Sequence, residues 1–190
     1  MEALTTLTSR TLVLSAANID TDQIIPARFL TTTTRTGLGA HLFADWRNAP
    51  DGTPRTDFAL NQPGAKDCRI LVAGRNFGCG SSREHAAWAL ADFGLRALIS
   101  TEFADIFASN ALKNGLLPVR VDAATNDWLI AHAGIEVTVD VRTCTLTLPG
   151  ARVVSFPLEV FARHCLLRGL DELGYLLGRR GEIDSYERRA

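Results

Sequence analysis

The middle of the chain alternates short apolar runs with longer segments of helical periodicity, and this alternation constrains the fold more than any other feature. Three apolar runs have the length of buried strands: Cys68–Gly74, Leu95–Ser100 and Leu116–Val121. The helical segments Ser82–Phe93 and Glu102–Asn114 lie between them, and a glycine follows each as a stop. Such alternation places strands parallel in one sheet beneath covering helices. The sequence therefore predicts an α/β fold with a central βαβαβ unit.

The chain before this unit is less regular. Arg10–Leu14 predicts a first strand, and turn-forming residues follow it. Residues 27–66 are expected to be largely loop with short structured pieces, because proline and glycine recur there. A loop of this length is uncommon in a compact domain and often has a function.

The chain after the unit changes pattern. Thr125 is expected to cap a short helix. Glu136–Val141 and Cys144–Leu148 alternate apolar and polar residues, which predicts antiparallel strands joined at Arg142 and Thr143. Arg152–Phe156 predicts one more strand. These elements add antiparallel strands to the parallel unit.

The last part of the chain predicts helices. Pro157 suits the first position of one of them. Apolar spacing predicts one apolar face on each of two helices, formed by Phe103, Ile106, Phe107 and Ala111 and by Leu158, Phe161, Cys165 and Leu166. A last short helix is expected to hold Leu173, Leu176 and Leu177. Residues 179–190 form a charged tail, expected to be solvated or used for docking. No linker separates two cores, so residues 1–190 are expected to form one domain.

Charge and hydropathy exclude several classes of function. The formal net charge is -1, so no overall field favours nucleic acid or an anionic membrane. No apolar run approaches the roughly 18 residues that a membrane span needs. The first residues, MEALTTLTSR, lack the pattern of a secretory signal, so a cytoplasmic location is expected. We expect no nucleic-acid or membrane partner.

The cysteines and histidines do not form a metal motif. The four cysteines, Cys68, Cys79, Cys144 and Cys165, include no C-x-x-C pair, and no H-E-x-x-H occurs. Free thiols are expected, and no metal is expected to be held by this chain alone.

The stretch GCGSSREHA, from Gly78 to Ala86, combines a glycine-rich turn with the start of a predicted helix. Free amides at a helix N-terminus bind carboxylate or phosphate groups. Ser81 and Glu84 fit the spacing of a capping box, and the guanidinium of Arg83 can pair with a carboxylate. The Walker, dinucleotide and serine-hydrolase motifs are absent from the stretch. The sequence therefore indicates a loop suited to binding an anionic group.

Structural interpretations of the same residues remain open at this point. Ser81 can be a plain helix cap, and Cys79 a small apolar filler. His85 can be structural, and Asp22 a turn residue. Arg83 and Arg35 can be solvated charges.

Four stretches together resemble the small subunits of 3-isopropylmalate dehydratase, the swivel-domain subunits of the aconitase superfamily. They are Asn18–Leu30, Ala73–Leu90, Phe103–Val119 and Cys165–Gly174, and they span nearly the whole chain in the family's order. Two departures stand outside the Gly-Ser-Ser-Arg core: Ala87 replaces a usual proline, and Arg75 a common acidic residue. The resemblance implies a swivelling β/β/α domain.

The resemblance also implies a reaction and a partner. Such enzymes convert 2-isopropylmalate to 3-isopropylmalate through 2-isopropylmaleate, in leucine biosynthesis. A large subunit carries the 4Fe–4S cluster, so this chain would bind no cofactor itself. The substrate is a small dicarboxylate hydroxy acid.

Site roles follow from the same resemblance. Ser81 would be the catalytic base. Substrate-binding roles fall to Gly80, Ser82, Arg83 and Arg35, and supporting roles to Thr21, Asp22, Glu84 and His85. The loop Thr34–Gly39 lies where the family reads the substrate's side group. A homoaconitase or methylated-malate dehydratase small subunit would share this core, and a non-catalytic carboxylate-binding module is the alternative from another class.

Overall fold

The computed structural model describes residues 1–31 and 33–189. Thr32 and Ala190, which fall within the predicted loop 27–66 and the predicted tail 179–190, lie outside the described residues. Within the described ranges, seven strands form one sheet in the order β4-β3-β2-β1-β5-β6-β7. The fold is a mixed α/β fold, as the sequence predicts.

The strands are β1 Thr6–Leu14, β2 Ile70–Ala73, β3 Ala97–Ser100, β4 Leu117–Arg120, β5 Glu136–Asp140, β6 Thr145–Leu148 and β7 Arg152–Ser155. The α-helices are α1 Thr21–Ile24, α2 Ala44–Arg47, α3 Glu84–Phe93, α4 Asp105–Lys113, α5 Ala123–Ala131, α6 Val160–Arg168, α7 Glu172–Gly178 and α8 Arg180–Glu187. Short 3-10 helices lie at Ala27–Phe29, Leu38–His41, Ala59–Asn61, Ala65–Asp67 and Pro149–Ala151.

Strand β1 joins the two halves of the sheet. Its second half pairs parallel with β2, from Thr11 opposite Ile70 to Leu14 opposite Ala73. Its first half pairs antiparallel with β5. The predicted strand Arg10–Leu14 begins four residues too late. It covers the parallel part and Arg10 but misses Thr6–Ser9, where buried positions alternate with exposed polar residues. Strands β2, β3 and β4 are parallel neighbours, which confirms the βαβαβ unit.

Both faces of the sheet are covered by apolar clusters. In β2, Leu71 and Ala73 belong to a cluster with α3 and α4, whereas Ile70 and Val72 belong to a second cluster with α5 and α6. Successive side chains of a strand point to opposite faces, so each face buries half of the strand. A parallel strand buried on both faces has a continuous apolar sequence, as β2 does.

Several predicted helix starts differ from the structure. Asp122, not Thr125, caps α5, because its carboxylate accepts a hydrogen bond from the Thr125 amide at 2.8 Å. The hydrogen bond from the Thr125 hydroxyl, together with this backbone bond, lowers the pKa of Asp122. Pro157 precedes α6 instead of starting it, and Glu159 caps that helix through the Ala162 amide. In each case a carboxylate that binds free amides fixes the start of the helix.

Several apolar residues of the predicted helices lie on the surface. Ile106 is 55% exposed, while Phe103 and Phe107 are buried as predicted. In the C-terminal helices, Cys165 and Leu166 are buried, whereas the exposed side chains are Phe161, Leu173, Leu176 and Leu177. Helix α8 occupies most of the predicted tail. None of the described helices combines the length and apolar character needed to cross a membrane.

Ser100 ties the carboxyl end of β3 to that of β2. Its buried hydroxyl donates to the carbonyl of Gly74 at 2.8 Å and accepts from the Glu102 amide at 3.3 Å. We expect Ser100→Ala to lower the free energy of unfolding by about 1–3 kcal/mol, because buried partners lose their hydrogen bonds. Urea unfolding of the purified chain measures this loss. Ser155→Ala, at an exposed position of β7, is the control, and equal effects of both substitutions would contradict the role of Ser100.

Candidate active site at the carboxyl ends of the parallel strands

The segments that follow β1, β2 and β3 run side by side beyond the edge of the sheet. The Gly78 amide donates to the carbonyl of Ile19 at 2.7 Å, and the Thr21 amide to that of Cys79 at 2.9 Å. On the other side, Phe77 pairs with Phe103 in a parallel bridge. Backbone hydrogen bonds therefore fix the glycine-rich loop between its two neighbours. Ligands of open α/β sheets bind in this location, outside the carboxyl ends of the strands.

Two glycines let the loop follow this path. Gly78 has φ +77°, and a Cβ atom there would lie 2.2 Å from Cγ of Phe107. Gly80 has φ +89°, with Cβ of Asp20 at 3.3 Å from where its own Cβ would be. Both values of φ lie in the left-handed region that side chains other than glycine rarely adopt. The glycines therefore serve the close approach of the loop to α4 and to α1.

The Ser81–Arg83 segment is held against Thr21 and Asp22. The Ser81 carbonyl accepts from the Thr21 hydroxyl at 3.0 Å and from the Arg83 amide at 2.7 Å. The Arg83 guanidinium forms an ion pair with the carboxylate of Asp22. Thr21 is 1% exposed, whereas the side chains of Ser81 and Ser82 are on the surface. The structure thus brings together most of the residues that the sequence singles out.

The predicted capping box at Ser81 is wrong. Helix α3 starts at Glu84, with Arg83 at its N-cap position in an extended conformation (φ −95°, ψ 114°) and without a side-chain cap. Because the backbone is extended at Arg83, Ser81 lies outside the helix. Within residues 1–31 and 33–189, the Ser81 Oγ makes no hydrogen bond. The hydroxyl is therefore available to a ligand.

A capping box occurs instead at the neighbouring segment. The Asp20 carboxylate accepts from the Gln23 amide at 2.8 Å, and the Asp20 amide donates to the Gln23 side chain at 2.9 Å. These two bonds define the start of α1. The positions of Thr21 and Asp22 follow from this cap.

The side chains of Glu84, His85 and Arg35 all contact Trp88. The Glu84 carboxylate accepts from the Trp88 indole at 3.2 Å and from the Asn114 amide group at 2.9 Å. The His85 ring lies 4.6 Å from the Trp88 ring, and the Arg35 guanidinium carbon lies 5.5 Å from it. Sequence reasoning did not assign Trp88 or Asn114 a role in the site. The spacing of Glu84 and Trp88 by four residues was the available signal for Trp88.

Cys79 is poorly suited to be a nucleophile. Burial raises the pKa of its thiol, and the charge of Asp20 raises it further. A thiol with a raised pKa is protonated at neutral pH, and the thiolate is the reactive form. All four cysteines are free. The part of the chain that the structure describes contains no group of three or more His, Cys, Asp or Glu side chains able to hold a metal ion.

The contact between Gly78 and Phe107 gives a test of the loop path. We expect Gly78→Ala to destabilise the protein by about 2 kcal/mol or more beyond Gly52→Ala, measured by urea unfolding. Gly52 is the matched control, because it has φ +85° but a Cβ atom there would meet no other atom within 4 Å. The difference thus isolates the clash with the Phe107 ring. Equal losses in the two variants would show that α4 does not pack against the loop.

Comparison with known proteins agrees with this geometry. Residues 1–124 match the aconitase C-terminal domain family. The small subunit of 3-isopropylmalate dehydratase from Anaeromyxobacter dehalogenans strain 2CP-1 is 59% identical over 187 residues, which is 98% of each chain. The corresponding subunit from Chloroflexus aurantiacus is 53% identical, covering 98% of this chain and 95% of its own.

A solved structure extends the comparison to the fold. The crystal structure of 3-isopropylmalate dehydratase from Methanocaldococcus jannaschii superposes with a TM-score of 0.70 at 28% identity, covering 96% of this chain and 99% of that one. The match in sequence and fold extends over nearly the full length of both chains. The chain therefore belongs to the family of 3-isopropylmalate dehydratase small subunits, which share the aconitase C-terminal domain.

Proposed function

We propose that this chain is the small subunit of a cytoplasmic hydro-lyase that isomerises 2-isopropylmalate to 3-isopropylmalate through 2-isopropylmaleate, in leucine biosynthesis. The relatives' names support the substrate. The observation that carries the chemistry is the attachment of the Ser81–Arg83 segment to Thr21 and Asp22. We further propose that residues 1–190 form one swivel domain, because both apolar clusters share one sheet.

Ser81 is proposed as the base that removes the substrate proton. Its backbone is fixed by two donors, and its exposed hydroxyl makes no hydrogen bond within the described residues. A serine hydroxyl is a weak base, so its alkoxide needs stabilisation. Arg83 and the amides at the start of α3 supply positive potential, although a helix dipole contributes only about 0.3–1 kcal/mol at an exposed site. The same groups act more strongly once a partner excludes water from the site.

Arg83 is proposed to bind a substrate carboxylate. A guanidinium carries five N–H donors, enough to pair with Asp22 and with a second carboxylate at once. Its side chain is 28% exposed, so it is partly desolvated and can still reach a ligand. The Ser82 hydroxyl and the Gly80 backbone, both exposed beside it, complete the proposed carboxylate site. Asp22 and Thr21 then support the loop without touching the reacting atoms.

A large subunit is proposed as the partner, and the 4Fe–4S cluster is proposed to lie on it. The described residues of this chain do not fit such a cluster, because they offer no group of three metal-binding side chains. The exposed Ser81 and Ser82 support a site that is completed from outside. This chain would contribute the base and the carboxylate-binding groups.

The partner requirement is directly testable. We expect the purified chain alone to be inactive, because half of the site is missing. Anaerobic co-expression with a candidate large subunit should yield a complex that forms isopropylmaleate, followed by its ultraviolet absorbance. Robust activity of the chain alone would contradict the proposal, as would a complex that uses only homologous or methylated substrates. Tight calorimetric binding of isopropylmalate to the isolated chain would instead support a carboxylate-binding module.

The role of Ser81 gives a second test. In the complex, Ser81→Ala should lower kcat by about 10²–10⁴-fold, the usual contribution of a general base. Thermal stability and assembly should stay unchanged, because the hydroxyl makes no hydrogen bond within the described residues. Cys79→Ser, two positions away, serves as the control and should keep near-normal turnover. Near-normal turnover of Ser81→Ala would remove Ser81 from the role of base.

A further inference from the structure

Arg35 lies on an exposed stretch of loop and needs a support to have a defined position. Its side chain is long, and fixing its rotamers costs conformational entropy. The structure places its guanidinium carbon 5.5 Å from the centroid of the Trp88 ring. Within the described residues this ring is the partner of Arg35, and the structure gives Arg35 no carboxylate ion pair. The indole is therefore what defines the place of the guanidinium.

A ring suits this purpose better than a carboxylate would. Stacking on an aromatic face leaves the positive charge and the N–H edge of a guanidinium able to bind an anion. An ion pair would neutralise that charge and compete with a substrate carboxylate. Asp92 and Arg35 border the same cavity of about 180 Å³. The Asp92 carboxylate accepts a hydrogen bond from the Gly39 amide at 2.7 Å and does not pair with Arg35.

Trp88 is itself held by a closed set of hydrogen bonds. Its indole N–H donates to Glu84 Oε1 at 3.2 Å and to Asn114 Oδ1 at 3.0 Å. The Asn114 amide group donates to the same Glu84 oxygen at 2.9 Å and to the Asn110 carbonyl at 2.8 Å. Glu84 belongs to α3, and Asn114 is the C-cap residue of α4. Two helices thus fix the plane of the indole ring.

The loop that carries Arg35 and Gly39 is attached to α3 at two points, four residues apart on both the loop and the helix. Arg35 contacts Trp88, and Gly39, four residues later, bonds to Asp92, four residues after Trp88. A Cβ atom at Gly39 would lie 2.6 Å from the Phe93 nitrogen, so this attachment is close. Helix α3 starts directly after the Ser81–Arg83 segment. Helix α3 therefore fixes the position of Arg35 relative to that of Ser81, the proposed base.

We propose that Trp88, locked by Glu84 and Asn114, is a positioning residue that holds Arg35 where it binds substrate. The substrate-binding role of Arg35 is the one that the family resemblance implies, and it rests on the proposed function; the support of Arg35 by Trp88 does not. Trp88 does not touch the reacting atoms and acts through Arg35. Asn114, distant in sequence from Arg35, acts one step further away by fixing the indole.

The kinetic test uses the assembled complex and the variants Arg35→Ala, Trp88→Leu and Asn114→Leu. We expect Trp88→Leu to raise KM for isopropylmalate by about three- to tenfold with kcat little changed, as for loss of one cation–π contact. Asn114→Leu should show part of this increase, and Trp88→Phe should restore most of the binding. The double variant Arg35→Ala/Trp88→Leu should have the same KM as Arg35→Ala alone, because both substitutions remove the same contact between Arg35 and Trp88.

Trp128→Leu is the matched control for loss of a half-buried tryptophan. Trp128 stacks on His132 at 4.3 Å, against the apolar cluster on the other face of the sheet. The kinetic constants of the complex with Trp128→Leu should equal those of the unaltered complex. An unchanged KM in Trp88→Leu, or effects that multiply in the double variant, would overturn the proposal.

A second measurement on the full chain needs no activity. Trypsin cleaves the peptide bond after an arginine. Contact of Arg35 with the Trp88 ring should protect the bond after Arg35, because cleavage there requires the loop to open locally. We expect cleavage after Arg35 to be about three- to tenfold faster in Trp88→Leu, with cleavage after Arg188 in the tail unchanged. Mass spectrometry quantifies both sites. An unchanged rate at Arg35 would overturn the support by Trp88, while an inactive complex with faster cleavage would reject only the proposed function.

Discussion

The backbone pairing beyond the sheet edge is the constraint on which the rest of the site depends. The segment after β2 is hydrogen-bonded on one side to the segment after β1 and on the other to the segment after β3. A loop bonded on both sides has little freedom, so Ser81 is presented by a rigid frame although its side chain is exposed. Exposure and rigidity together suit a residue that meets its substrate at a boundary between chains.

Helix α3 extends this constraint to the loop that carries Arg35 and Gly39. Its N-terminal end adjoins the Ser81–Arg83 segment, and its flank carries Trp88 and Asp92, the attachment points of Arg35 and Gly39. The ion pair of Arg83 with Asp22 fixes the same end of the helix to α1. The proposed base Ser81, the proposed carboxylate-binding Arg83 and the loop that carries Arg35 are therefore all attached to one helix. A shift of α3 would move all three together.

The sequence was sufficient where local periodicity decides the structure. The strands β2, β3 and β4 and the helices between them follow from apolar runs and glycine stops. It was insufficient where distant residues decide: the Ser81–Glu84 spacing suggested a cap, but Glu84 bonds to Asn114 on another helix. The role of Trp88 under Arg35 likewise depends on packing between a loop and a helix. The surface position of Ile106 shows that apolar spacing alone misplaces single residues.

Strand β1 has a consequence for the order in which the chain can fold. Its Thr8 hydroxyl meets that of Thr138, 130 residues later, at the junction with β5. Contacts of such sequence separation form late, because a long loop must close first. During synthesis, the antiparallel edge of β1 must therefore wait until β5 has left the ribosome, while its parallel edge can already pair with β2. Strand β1 is thus made before both of its partner strands and is among the last strands to be fully paired.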